Sequence, residues 1–276
     1  MNAESLRRWM AGALLAVAAG SAPAATRTLC TVAAEASTGK ILVQEGDCTT
    51  RVTPASTFKI ALSLMGFDAG ILQDDHAPAW PFRQGYADWG GEPWRQTTDP
   101  ARWMKYSVVW FSQQIAGQLG EARFQQYTRA FQYGNEDVSG EAGKHNGTSG
   151  AWINASLRIS PLEQVRFMEK IVNRQLPVKP QAYEMTGRIT RIEPGEPGIE
   201  VHGKTGTGSP GMDGRYDPAR AYGWFVGWAT TASRTVVFAR LIQDDQPTAP
   251  NAGLRARDGL LKELPTLIHA SDAPRH

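Results

Sequence analysis

The β-rich stretches of this chain lie only at its two ends. "TLCTVAAEA" and "KILVQEGDC" come early, "GIEVHGK", "AYGWFVGWAT" and "RTVVFARLIQ" come late, and the segment between them reads as helices and long polar loops. An isolated hairpin cannot bury a face by itself, so the terminal segments must meet in one sheet. The expected fold class is therefore α+β: an antiparallel sheet built from N- and C-terminal segments with flanking helices, carrying an inserted, mostly helical subdomain over about residues 67–193. No repeat, low-complexity tract or Gly/Ser/Pro-rich linker divides the rest, so residues 25–276 are expected to form a single domain.

The first 24 residues stand apart. Arg7 and Arg8 precede a short apolar run that ends in Ala22-Pro23-Ala24, the pattern of a signal peptide cut near Ala24 or Ala25. The run is short for a bilayer span and no later segment resembles one, so export to the periplasm without a membrane anchor is expected. A formal net charge of +2 spread over 276 residues gives no field that would attract nucleic acid. In an oxidising compartment the two cysteines matter. Cys30 and Cys48 each lie nine residues from Gly39, at the centre of the turn "STGK", so an antiparallel hairpin sets them opposite each other and a bridge is expected. Two unpaired buried thiols are the alternative.

The helix in "TPASTFKIALSLM" carries the chemistry. Thr53 is placed to cap it, Pro54 suits its first turn, and it runs to about Gly66 with apolar residues on nearly every side. Lys59 lies inside it. A buried ammonium is costly, so Lys59 must be paired, turned outward or chemically altered. Ser56, three residues earlier, shares its face, which gives a nucleophile with a candidate base beside it and a helix N-terminus for developing negative charge. Further on, "TTDPARWMKYSVVWFSQQIAGQLG" and "SPLEQVRFMEKIVNR" have helical spacing, with Asp99 and Ser160 as caps. "GEPWRQTTDP" and "SGEAGKHNGTSG" read as loops, and "AGLRARDGLLKEL" as a closing helix.

Three other motifs carry less. The G-x-G-x-x-G of Gly206, Gly208 and Gly211 has Pro210 inside it and no helix after it, so a dinucleotide site is not expected. "GTSGA" around Ser149 lies in a polar loop and not between strand and helix, so it is read as a turn and not a nucleophile elbow. Five histidines are scattered without metal-ligand spacing, and no metal is expected.

S-x-x-K gains meaning from its companions downstream. "SVVW" at Ser107–Trp110, "YGN" at Tyr133–Asn135, "AWINASLRISPLEQ" with Trp152, "HGKTGTG" from His202 and "YGWFVGW" occur in that order. Together they resemble the class D serine β-lactamases, the oxacillinases, across nearly the whole chain after the leader. The resemblance implies hydrolysis of penicillin-type antibiotics, and hence resistance, through an acyl-enzyme on Ser56. It implies that Lys59 adds carbon dioxide to become a carbamate, the general base, and that no other cofactor is needed. An apolar pocket favours this by leaving the amine neutral. By the same resemblance Ser107 protonates the leaving nitrogen, Val109 shields the carbamate and Trp152 donates its indole N–H to it. Lys204, Thr205 and Arg257 hold the substrate carboxylate, with Arg255 as the alternative to Arg257. The backbone N–H of Thr207 joins that of Ser56 as an oxyanion donor. Tyr133, Gly134 and Asn135 are expected to be structural.

Two features depart from the family pattern: the loop "EDVSGEAGKHNGTSGA" before Trp152 is long, and Thr207 stands where many relatives have an aromatic residue after K-T-G. A penicillin sensor, acylated with little turnover, would carry similar motifs. Substrate range and oligomeric state are not encoded in these motifs.

Overall fold

The computed structural model describes residues 26–192, 197–211 and 215–269; the expected leader and its cleavage point lie outside them. Five strands, β1 (Arg27–Glu35), β2 (Ile41–Gly46), β3 (Glu200–Gly208), β4 (Tyr222–Thr230) and β5 (Thr235–Gln243), form one sheet in the order β2-β1-β5-β4-β3. Every neighbouring pair is antiparallel. Strand β1 from the N-terminal end therefore zips onto β5 from the C-terminal third, as the distribution of β-rich segments required.

Both faces of the central strands are buried, and alternation along each strand decides what each face covers. Trp224, Val226 and Trp228 of β4 and Val237, Ala239 and Leu241 of β5 belong to the larger core. Phe225, Ala229, Val236, Phe238 and Ile242 belong to the other, which is closed by helix α7 (Ala252–His269). Its residues Ala252, Ala256, Leu260, Leu264 and Ile268 recur every fourth position and so share one stripe. Buried Arg240 on this face is satisfied by Thr31 Oγ1 at 3.0 Å and by Glu263 of α7, whose Oε1 accepts at 3.0 Å.

The larger core gathers α1 (Lys59–Asp68), α3 (Val109–Phe131) and α5 (Pro161–Val172). Around them lie α2 (Pro100–Tyr106), the short α4 (Gly147–Gly150) and α6 (Pro180–Thr190). Helix α1 is buried from Lys59 through Phe67. The two polar side chains of this buried run differ: Ser63 bonds Ile60 O and Thr186 Oγ1, whereas Lys59, among the described residues, reaches only Ser56.

Several local expectations need correction. The Cys30–Cys48 disulfide is present, with Cα atoms 5.1 Å apart, but Cys30 pairs across the hairpin with Gly46, because the turn is centred near Ser37 and Thr38 and not on Gly39. Thr53 does not cap the helix; its hydroxyl bonds that of Tyr222, Pro54 takes the cap position, and a 3-10 turn at Ala55–Phe58 precedes α1. The helix then runs past Gly66 to Asp68. The helix expected from Asp99 to Gly120 is two helices, broken at Ser107 (φ 58°), and the second passes a non-helical Gly120 to end at Phe131. Asp99 and Ser160 cap α2 and α5 as expected, the latter in a reciprocal capping box with Glu163.

Candidate active site

Ser56 sits in the 3-10 turn at Ala55–Phe58, between α1 and the edge strand β3. Ala55 is held in the left-handed region (φ 48°), a cost that surrounding contacts must offset. From behind, Thr57 Oγ1 donates to Pro54 O at 2.7 Å and in turn accepts from Gln164 Nε2 at 3.0 Å. In front stands Gly206, where a Cβ would lie 2.9 Å from Pro54 O and 3.2 Å from Ser56 N. The strand comes this close only because that residue has no side chain.

Lys59 Nζ donates to Ser56 Oγ at 3.3 Å from a position 1% exposed. Burial first, then the charge of Lys204, hold its pKa well below the ordinary lysine value. Lys204, 6% exposed, donates to Thr205 O at 2.9 Å, and burial with the nearby charge of Arg257 brings it down to about 7. Among the described residues no carboxylate pairs with either lysine. Three basic side chains from three distant segments thus lie near enough to perturb one another in turn, Lys204 acting on Lys59 and Arg257 on Lys204.

The cleft over Ser56, of about 650 Å³, is lined by Ser107, Val109, Lys204, Thr205, Gly206 and Thr207 among others. Ser107 enters it because the chain turns left-handed between α2 and α3. Val109 opens α3. Thr207 Oγ1 donates to Asn251 Oδ1 at 3.2 Å and accepts from Gly253 N at 3.1 Å, which ties the strand to the start of α7. An adjoining cleft, of about 620 Å³, shares Lys204 and Thr205 and is lined by Arg257. Arg255 is committed elsewhere, to Asp244, to Pro250 O at 2.7 Å and to Thr26 Oγ1 at 2.5 Å. Of the two arginines, only Arg257 lines a cleft shared with Lys204 and Thr205, and its Nε donates to Asp258 Oδ1 at 2.8 Å.

Trp152 is 1% exposed, stacked on Phe58 at 5.5 Å and edge-on to Phe124 at 6.0 Å. It therefore lies against the residue preceding Lys59, and its indole N–H makes no hydrogen bond among the described residues. Tyr133, Gly134 and Asn135 form a turn in which Tyr133 is buried and the other two are half-buried. Tyr133 packs on Phe58 at 5.2 Å, a Cβ on Gly134 would lie 2.0 Å from Arg158 O, and Asn135 bonds Ser156 O and Arg158 N. Ser149 lies in α4 with its hydroxyl on Asn146 O, outside the cleft. Gly206 and Gly208 of the G-x-G-x-x-G lie in β3, a strand. No group of three His, Cys, Asp or Glu among the described residues could hold a metal ion.

The motifs do not point to Trp89, Trp94, Tyr106, Ile153, Asn251 and Leu254, which also line the cleft. The available signal was two tryptophans within a glycine-rich loop, where apolar residues have no helical or strand partner to serve.

Comparison with known proteins agrees with this geometry. The family model for the penicillin binding protein transpeptidase domain matches residues 29–265. The chain is 44% identical over 241 residues to β-lactamase OXA-9 of Klebsiella pneumoniae, a match that covers 87% of this chain and 88% of that one. The crystal structure of the OXA-427 class D β-lactamase superposes with a TM-score of 0.82 and 46% identity over 87% of this chain and 98% of the other. The regulatory protein BlaR1 of Bacillus licheniformis is 32% identical over 204 residues, which is 74% of this chain but 31% of that protein. A serine and a buried lysine one turn apart, a glycine-rich strand against them and these likenesses lead to one assignment: the chain belongs to the class D β-lactamases.

Proposed function

We propose that the protein hydrolyses the amide bond of penicillin-type β-lactams through an acyl-enzyme on Ser56 and so confers resistance to them. The observation that carries this is the Ser56–Lys59 pair, a hydroxyl 3.3 Å from an amine whose pKa burial holds well below the ordinary lysine value. The surroundings of that amine suit an anion. Lys204 lies close enough to perturb it, and Trp152 offers an uncommitted N–H nearby. Carbon dioxide added to the Lys59 amine would supply a carboxylate that accepts a proton from Ser56 and later from water.

Ser56 Oγ attacks the lactam carbonyl while the backbone N–H groups of Ser56 and Thr207 hold the oxyanion. The C–N bond breaks as Ser107 passes a proton to the nitrogen, leaving an ester on Ser56. Water then attacks the ester and releases the ring-opened acid. Lys204, Thr205 and Arg257 hold the substrate carboxylate, where Lys204, buried without a carboxylate partner among the described residues, gains most from an incoming anion. Val109 keeps bulk water from Lys59, and the Tyr133–Asn135 turn supports Phe58 beneath it. The disulfide fits an exported protein, in keeping with cleavage near Ala24 or Ala25 and residence in the periplasm. No helix of the described residues is long and apolar enough to cross a membrane.

Incubation with a chromogenic cephalosporin and with benzylpenicillin tests the reading. Sustained hydrolysis is expected, with an acyl adduct on Ser56 by mass spectrometry that Ser56→Ala abolishes. A single stoichiometric burst without turnover would instead assign the chain to the sensor role of its more distant relative.

A further inference from the structure

Gln164 of α5 is fully buried, and its Nε2 donates to Thr57 Oγ1 at 3.0 Å, across 107 positions of chain. A hydroxyl has one proton to give. Because the amide occupies a lone pair of Thr57 Oγ1, the hydroxyl turns its proton to Pro54 O at 2.7 Å, the same carbonyl that accepts from Thr57 N at 3.1 Å. Pro54 O is thus held twice, on either side of Ala55 and Ser56. Tyr133 is buried against the same pair: burial raises the pKa of its hydroxyl, while Thr57 and Gln164 act on it in the opposite sense. Gln164 Oε1, also buried, makes no hydrogen bond among the described residues. A buried amide with one end unsatisfied is costly, and a methionine would fill the same space without that cost. Stability does not account for the amide, which leaves its N–H on Thr57 as the feature the fold uses.

What the turn controls is position. Ala55, immediately before the nucleophile, is held left-handed at φ 48°, a conformation that relaxes unless its surroundings fix it. Pro54 O and Thr57 also face β3, where a Cβ on Gly206 would lie 2.9 Å from the first and 3.1 Å from the Thr57 methyl. Movement of either one alters the gap between Ser56 and the strand that carries Thr207. We propose that Gln164 is a positioning residue for the hydrolysis: by fixing the direction of the Thr57 hydroxyl it locks the turn at Ala55–Phe58 and so aims the Ser56 hydroxyl and backbone N–H at the lactam carbonyl. Gln164 does not line the cleft, so it acts only through Thr57. The proposal rests on the hydrolase reading and adds to it a residue outside the motifs' assigned roles.

The test is a double-mutant cycle of Gln164→Met, Thr57→Val and the two combined, with Thr57→Ser beside it, on benzylpenicillin. Taking kcat per Ser56 that a β-lactam acylates keeps unfolded protein out of the measurement. Gln164→Met should lower kcat by roughly 3- to 10-fold, the loss expected of a displacement of a few tenths of an ångström. Because the Ser56 N–H serves acylation and deacylation alike, both steps slow together and KM should change less than about 2-fold. Thr57→Val should lose at least as much, and the combination no more than Thr57→Val alone, since both substitutions break one chain of bonds. Thr57→Ser keeps the hydroxyl and should stay within about 2-fold of wild type. Losses that multiply in the combination, wild-type kcat in Gln164→Met, or a Thr57→Ser variant as impaired as Thr57→Val would overturn the proposal while leaving the hydrolase reading intact. A wild-type enzyme that turns over no benzylpenicillin would overturn both.

Discussion

Lys204 illustrates how much a single buried charge decides. Its pKa falls from the ordinary 10.5 to about 7 because folding removes water from the ammonium and brings Arg257 near. Below about pH 7 the folded and unfolded chains both carry the proton, and the full cost of burying it is present. Between about 7 and 10.5 the unfolded chain binds a proton that the folded one does not, so this residue makes stability rise with pH across that window. Lys204→Met should therefore raise Tm at pH 6, by at least about 2 °C for a chain of this size, with the gain shrinking toward pH 10. Thermal melts across that range check it; a variant less stable than wild type at pH 6 would contradict it. The same substitution should weaken substrate binding, since it removes the cation assigned to the carboxylate. Individual residues were unevenly legible. Lys59 announced its burial through its apolar neighbours, whereas the choice between Arg255 and Arg257 depends on Asp244, a residue whose proximity to Arg255 only the folded chain establishes.

At the level of elements, the site is a meeting of one turn, one strand and one helix junction. Gly206 sets the spacing between β3 and the Ser56 turn. Gly206→Ala would force Pro54 O or Ser56 N to retreat by a few tenths of an ångström, moving the nucleophile relative to Thr207 N–H. Because displacements approaching 1 Å cost about 100-fold in rate, kcat/KM should fall by roughly 10- to 100-fold. Steady-state kinetics alongside a thermal melt check this, and a folded variant with unchanged kinetics would refute the close-approach role. The strands, the Asp99 and Ser160 caps and α7 follow from patterning and side-chain chemistry that act locally. The break at Ser107 does not. Its neighbours continue the helical pattern, and the left-handed residue that delivers the hydroxyl to the cleft is imposed by packing, with Trp103 and Trp110 buried on either side. The Trp89–Trp94 wall was hidden for a related reason, since a loop with no period gives no sign of which of its side chains faces a cleft.

Across the whole molecule, the defining feature is the convergence of Lys59 from the first helix, Lys204 from the third strand and Arg257 from the last helix, with Lys204 lining both clefts between them. Only the closed sheet, with its N- and C-terminal strands paired, brings these segments together. The arrangement would be a liability in an inert protein, because Lys59 and Lys204 are buried without a carboxylate partner among the described residues. It becomes useful if anions enter: one supplied by the substrate, the other formed on Lys59. The most direct measurement is ¹³C NMR of the enzyme equilibrated with ¹³C-bicarbonate, with hydrolysis followed on the same sample. A carbamate resonance that is absent in Lys59→Ala, fades on degassing and returns in step with activity is the expected result. Full activity in a carbon dioxide-free sample showing no such resonance would contradict it.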